Sequence, residues 1–243
     1  PAAPNTPSRG RFLPFMFKGT SFSTGGYSAE FGQALSSALV LDSRDQAEAN
    51  RTDIGLLSVG ADITQTVRWD RGSIAGKIQY TNLKPYMGLI NQEIDWQTPP
   101  ESLEGVAAFR QQVGKQGMLK VYGNFNRSQY SLYNHAIDNY NTKTLYDLTN
   151  RYHYVNAAYK NPINEKWFVR GGMSYNYQQN KIGLPEEIIN EVEKGVHGKA
   201  VVEGTVTDQI ELKTGLEVIS REYSQAFDFN LVNDYALQFH EVI

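Results

Sequence analysis

Residues 57–69 read LSVGADITQTVRW, and their alternation decides the fold class. Leu57, Val59, Ala61, Ile63, Val67 and Trp69 are apolar at odd positions, interrupted only by Gln65. Ser58, Gly60, Asp62, Thr64, Thr66 and Arg68 fill the even ones. A period of two puts the two sets on opposite faces of a strand. The pattern outlasts the ordinary globular strand of about five or six residues. Residues 70–72, Asp-Arg-Gly, then predict a tight turn. A return strand follows, with Ile74, Gly76, Ile78 and Tyr80 on the apolar face and Lys77, Gln79 and Thr81 opposite.

The same unit recurs outward along the chain. Alternation predicts strands over 103–113 and 118–127, 151–160 and 167–179, and 196–206 and 210–223, with a ninth starting after residue 230. Short turns are expected at 114–117, 161–165 and 207–209. Long connections are expected at 84–102, 131–150, 182–194 and 226–230. In the third of these, EEIINEVEK is compatible with one or two helical turns. Short and long connections thus alternate, which sorts them to opposite ends of an antiparallel meander. That is the layout of an outer-membrane barrel. A soluble sandwich has no reason to sort its loops this way.

The polar positions carry full charges. Asp62, Arg68, Lys77, Lys120, Arg170, Glu203 and Lys213 share one face of their strands. Unpaired charges do not enter a protein core, so this face is expected to be wet and to line a lumen. The apolar face must then meet lipid, a second sheet or a partner. Trp69 and Trp167 fall beside short turns, where a barrel carries an interfacial girdle. Ala61, Gly76, Ala107 and Gly171 lie among the apolar positions; residues so small fill a packed core poorly. The expectation is an all-β, antiparallel up-and-down transmembrane barrel, present in part, with about eight or nine strands. Two alternatives use the same alternation: a soluble or surface β-sandwich that binds carbohydrate, and a small closed barrel of eight to ten strands.

Composition narrows the function. The 243 residues contain no cysteine, so disulfides and thiolate chemistry are out. Mean hydropathy is −0.47, which low-hydropathy barrel strands allow. A net charge of −3 and a pI near 5.9 argue against nucleic acid as a partner. His135, His153, His197 and His240 have no metal-ligand spacing, and no triad or phosphate loop is marked. No enzyme activity, cofactor or metal is therefore expected. Among the aromatics of the expected loops, Trp96, Tyr140 and Tyr146 lie deepest and are the candidate substrate contacts. Tyr130 and Tyr133, nearer strand ends, read as girdle or loop packing.

Before the first hairpin stands residues 18–41, KGTSFSTGGYSAEFGQALSSALVL. Its glycines suit a tight, folded-back loop that runs into an apolar strand. Phe22, Ser23, Gly25, Gly26, Tyr27, Ser28, Ala29, Glu30, Phe31, Gly32, Leu35 and Ser36 resemble the end of the plug domain of TonB-dependent outer-membrane receptors of the Bacteroidota type. The resemblance implies three parts: the end of a plug over 1–44, a connector over 45–53, and the first portion of a barrel over 54–243. Gly25, Gly26, Tyr27, Ser28, Glu30 and Gly32 would form the plug–barrel junction. It further implies TonB-coupled uptake of a scarce solute such as a glycan or siderophore, in the outer membrane of a Gram-negative bacterium. The implied partners are outer-membrane lipid and the TonB energy-transducing complex, reached through a segment upstream. A substrate-capturing surface lipoprotein is left open. The sequence is expected to be part of a longer chain.

Overall fold

A computed structural model describes residues 17–23, 38–43, 47–90, 94–135, 142–229 and 235–242. The chain divides into two compact units, 1–46 and 47–243. In the first, β1 (Phe17–Ser23) pairs antiparallel with β2 (Ala38–Ser43). Phe22 is exposed there. Gly25, Gly26, Tyr27, Ser28, Glu30 and Gly32 lie outside the described residues, as does Tyr140.

The second unit is one antiparallel sheet of ten strands in sequence order. It runs through β3 (Arg51–Leu57), β4 (Gly60–Trp69), β5 (Gly72–Asn82), β6 (Asp95–Val113) and β7 (Gly117–His135). It continues through β8 (Lys143–Pro162), β9 (Trp167–Gly183), β10 (Glu187–Thr207), β11 (Ile210–Phe229) and β12 (Tyr235–Val242). Every strand pairs only with its chain neighbours, so the sheet is an up-and-down meander. Among the described residues β3 and β12 do not pair with each other, and the sheet is open. A short helix, α1 (Lys84–Met87), sits in the connection before β6.

Three boundaries differ from those expected. The stretch 57–69 is not one strand. Residues 58–59 turn the chain, and Leu57 pairs with Gly60. Leu57 therefore shares a face with Asp62 rather than with Ile63. The turn is held by the Asn82 N–H, which donates to the Val59 carbonyl at 2.7 Å. Gly60 is required here, because the Tyr80 carbonyl oxygen occupies the place of a Cβ. The extra hairpin makes ten strands where eight or nine were expected, and β3 starts inside the expected connector. Residues 187–194 are not helical: they pair on both sides, with 176–183 and 222–229. The connections at the far end of the sheet are correspondingly shorter than expected, at 136–142 and 184–186. At the other end, 70–71, 114–116, 163–166 and 208–209 are all short turns.

The faces follow the alternation. One ladder row runs Val67–Ile74–Phe109–Val121–Ala157–Met173–Gly198–Val218 across eight strands. The adjacent row on the opposite face runs Arg68–Ser73–Arg110–Lys120–Ala158–Gly172–Lys199–Glu217. Burial inverts the usual order. Ala75, Val106, Ala108, Tyr152, Val201 and Ile219 are the buried apolar residues, and all lie on the polar face, with buried Ser73, Gln79 and Arg110. From β4 to β11 the large exposed apolar side chains of the ladder lie on the other face, Phe229 excepted. Met173 is 64 % exposed and Leu216 66 %. A soluble domain buries its apolar face, because each Å² kept from water stabilises it by about 25 cal/mol.

Cross-strand pairs smooth that apolar face. The Phe125 ring covers Gly105, and the Trp167 ring covers Gly204, each aromatic lying directly opposite its glycine. Trp69 stands opposite Gly72 in the same way and donates its indole N–H to Gln111 at 2.9 Å. Such pairs restore the contact area that a glycine lacks in a strand.

The apolar run also moves through the ladder. It reaches Tyr80 on β5, Phe125 on β7 and Val155 on β8, and stops at Val218 on β11. Tyr80 lies three ladder rows beyond the row of Ile74 and Val218. At the turn end the limit shifts equally, from Gly72 on β5 to Ile210 on β11. The drift is about one residue per strand. With a rise of about 3.3 Å per residue and about 4.8 Å between strands, a flat slab cuts the sheet this way when strands tilt by about 35°. Tilts of about 35–45° are those of membrane barrels.

Candidate functional site

Asp62, Arg68, Lys77, Lys120, Arg170, Glu203 and Lys213 all fall on the polar face, in the half of the sheet nearer the short turns. The register brings most of them together in opposite-charge pairs. Lys77 Nζ lies 3.2 Å from Asp62, both side chains 16 % exposed. Glu203 takes Arg170 at 3.4 Å and Lys213 at 3.3 Å. Glu217 takes His197 at 2.6 Å and Lys199 at 3.3 Å. Arg68 donates to the Glu48 carbonyl at 2.5 Å, while its own backbone N–H donates to Asn50 Oδ1. The half-exposed pairs contribute little each and keep the face wet but neutral.

Further from the turns the charges give way to amides. Asn150 donates to Asn180 at 2.6 Å, Asn180 to Glu191 at 3.3 Å, and Gln225 to Glu191 at 3.2 Å. This ladder crosses β8 to β11 without a break. Burial first, and then the Glu191 and Glu193 carboxylates, raises the Tyr223 hydroxyl above its ordinary range.

One row beyond the amides the same face becomes apolar. Tyr130, Leu148, Ile182, Ile189 and Phe227 form a continuous row over β7 to β11. Leu132 and Tyr146 pair in the next row, and Leu132 also pairs with Trp96. Trp96 meets Tyr130 edge-on, with ring centroids 5.9 Å apart. The indole N–H of Trp96 is buried and has no acceptor among the described residues. A buried donor without a partner is uncommon and marks a place where a ligand acceptor would be stabilised.

Trp96 and Tyr146 therefore come together, but on strands β6 and β8 rather than in loops. Tyr130 belongs with them and was assigned to packing by its position near a strand end. Leu132, Leu148, Ile182, Ile189 and Phe227 were missed. The signal that could have found them is a parity switch: on β7 and β8 the even positions, polar at 120, 124 and 126, turn apolar at 130, 132, 146 and 148. Tyr133 lies on the opposite face, facing Leu145 across the strands.

Among the described residues no group of three His, Asp or Glu side chains is set to hold a metal, and no helix is long and apolar enough to cross a membrane. No protein-family model, curated protein or solved structure matches this chain.

Proposed function

We propose that this chain is part of a TonB-dependent outer-membrane receptor, with the ten-stranded sheet forming part of its barrel and residues 1–44 the end of its plug. The observation that carries the reading is the exposed apolar band and its drift of about one residue per strand. A band of about 9–11 residues per strand is what a tilted strand needs to cross a bilayer. The resemblance of residues 18–41 to the plug terminus supplies the family. Under this reading the charged face lines the lumen and outer-membrane lipid covers the band. A solute binds at the loop end against Trp96, Tyr130 and Tyr146, and its uptake is driven by the TonB complex through a segment upstream. The ring-and-amide chemistry there suits an amphipathic ligand such as a glycan or an aromatic chelator. A substrate-capturing surface lipoprotein would dock over the same end.

The sandwich alternative needs the strands divided between two facing sheets, whereas all ten follow one another in a single meander. Membrane fractionation of the full receptor in a Gram-negative host tests the reading. The protein is expected in the outer-membrane pellet, released only by detergent, with solute uptake abolished by a protonophore. Recovery in the aqueous fraction after washing with carbonate would overturn the membrane assignment. Uptake that persists without the proton gradient would overturn the TonB coupling.

A further inference from the structure

Just beyond the apolar band, on its own face, three cations stand on three adjacent strands. Arg127 on β7 lies directly opposite Arg151 on β8. Lys181 on β9 sits one row further out, opposite Thr149 and next to Arg151 on the diagonal. All three are exposed. Like charges directly opposite one another in a sheet repel. Among the described residues no carboxylate pairs with any of them. Of the neighbouring acids, Glu101 accepts from Tyr80 and Gln129, Glu222 is taken by Lys194 at 2.9 Å, and Asp147 lies two rows beyond Arg151 and diagonal to Lys181 without forming an ion pair with it. On β4 to β6 the same height carries Ala61, Tyr80 and Leu103, without a cation. The cluster is local.

Below the cations the surface is aromatic, then shallow. Phe125 and His153 face each other under the two arginines, with the Tyr177 ring 6.0 Å from His153. Beneath them, Ala107 and Gly123 are paired and Ala157 is diagonal to Gly123. A Cβ at Gly123 would meet only ordinary contacts, with the Tyr154 carbonyl and Val155, so this surface is low and a side chain could be added there without a clash.

We propose that Arg127, Arg151 and Lys181 form a binding site for a membrane lipid with an anionic, phosphorylated headgroup, whose acyl chain lies on the low surface at Ala107, Gly123 and Ala157. The proposal rests on the membrane reading of the sheet. Two guanidinium forks match phosphate oxygens in paired hydrogen bonds, and the anion removes the repulsion between the arginines. On β7 the apolar band meets Arg127 directly at Phe125, and on β8 and β9 only His153 and Gln179 stand between it and the other two cations, which favours a lipid over free phosphate.

The test uses the full receptor in detergent, with lipid uptake measured by native mass spectrometry against phosphatidylglycerol, phosphatidylcholine and inorganic phosphate. Retention of phosphatidylglycerol several-fold above phosphatidylcholine is expected, with inorganic phosphate failing to displace it. Arg127→Gln with Arg151→Gln should bring phosphatidylglycerol down to the phosphatidylcholine level. Gly123→Phe should lower retention of both lipids while leaving the cations intact. Both variants alter outward positions, and a thermal midpoint in detergent within a few degrees of the parent confirms that the sheet is kept. Equal retention of the two phospholipids, or unchanged retention in the double variant, overturns the headgroup site. Displacement by inorganic phosphate identifies an adventitious ion only and also overturns it. A receptor that needs no detergent and takes up neither lipid overturns the membrane reading instead.

Discussion

The two halves of the ten-stranded sheet wear their polarity in opposite senses. In the half nearer the short turns, Met173, Leu216 and Val218 are exposed on one face while Arg110, Lys120 and Glu217 occupy the other. In the half nearer the longer connections, Arg127, Arg151 and Lys181 point to the first face, and Tyr130, Leu148 and Ile182 to the second. The strands continue straight through the change; β8 alone runs over 20 residues. Secondary structure is thus indifferent to a reversal of side-chain polarity at one level. The side chains record the level at which the polarity switches, and a strand of one period can carry two opposite patterns.

The comparison can be broken most directly by moving a charge between the halves. Met173→Arg places a cation in the middle of the exposed apolar row. In lipid it should cost about 2–4 kcal/mol of unfolding free energy, as arginine does at a bilayer midplane. The same change at Thr149, on that face but in the loop half, should cost less than about 1 kcal/mol. Urea unfolding in vesicles reads both. Equal small effects would remove the contrast, since an exposed methionine on a water-soluble sheet tolerates arginine.

Lys77→Met probes the polar face of the turn half. It strands Asp62 in a site where both side chains are largely covered, and a loss of about 1–3 kcal/mol is expected. Adding Asp62→Asn should recover most of it, which the double-mutant cycle measures. On the second face of the loop half, Trp96→Phe keeps the ring contact with Tyr130 but deletes the N–H that has no acceptor among the described residues. Stability should be unchanged or slightly raised, while affinity for the solute proposed to bind there falls about tenfold, the worth of one hydrogen bond of about 1.4 kcal/mol. Titration by intrinsic fluorescence checks it.

The smallest effect belongs to Glu222→Gln, on the same face as Met173. Lys194 hydrogen-bonds the Glu222 carboxylate and holds it below its usual range. A carboxylate lowered on folding adds stability above its unfolded pKa and loses it as pH falls through the lowered value. The parent's thermal midpoint should therefore exceed the variant's slightly at neutral pH and meet it in strong acid, with the gap closing in high salt.

Much of the turn half was legible in the sequence because its two faces differ sharply in polarity. Where Leu119, Val121 and Phe125 alternate with Lys120 and Asn124, periodicity, register and face all follow from one pattern. Across residues 187–194 that contrast fades. Ile188 and Val192 are interleaved with Asn190 on one face, and Ile189 stands with Glu191 and Glu193 on the other, so the run looks helical although it is paired on both sides. The β3–β4 turn hid for a different reason. Ser58 and Val59 carry the alternation across a two-residue bend, so composition gives no sign that Leu57 and Gly60 face each other. In the candidate site, Trp96 and Tyr146 were identifiable as aromatic residues, but their convergence with Tyr130 depends on pairings three strands wide and on the irregular register between Trp96 and Glu101.

The meander has a kinetic meaning of its own. Among the described residues each strand of the sheet pairs only with the strands next to it in the chain, so its hairpins close over local connections, the longest of them the α1 segment before β6. The sheet can grow by one hairpin at a time, each completed strand offering its free edge as the template for the next. The ladder register then becomes a record of the order of assembly, and a fault in one hairpin, such as the β3–β4 turn at Gly60, would be inherited by the strands that follow rather than averaged away.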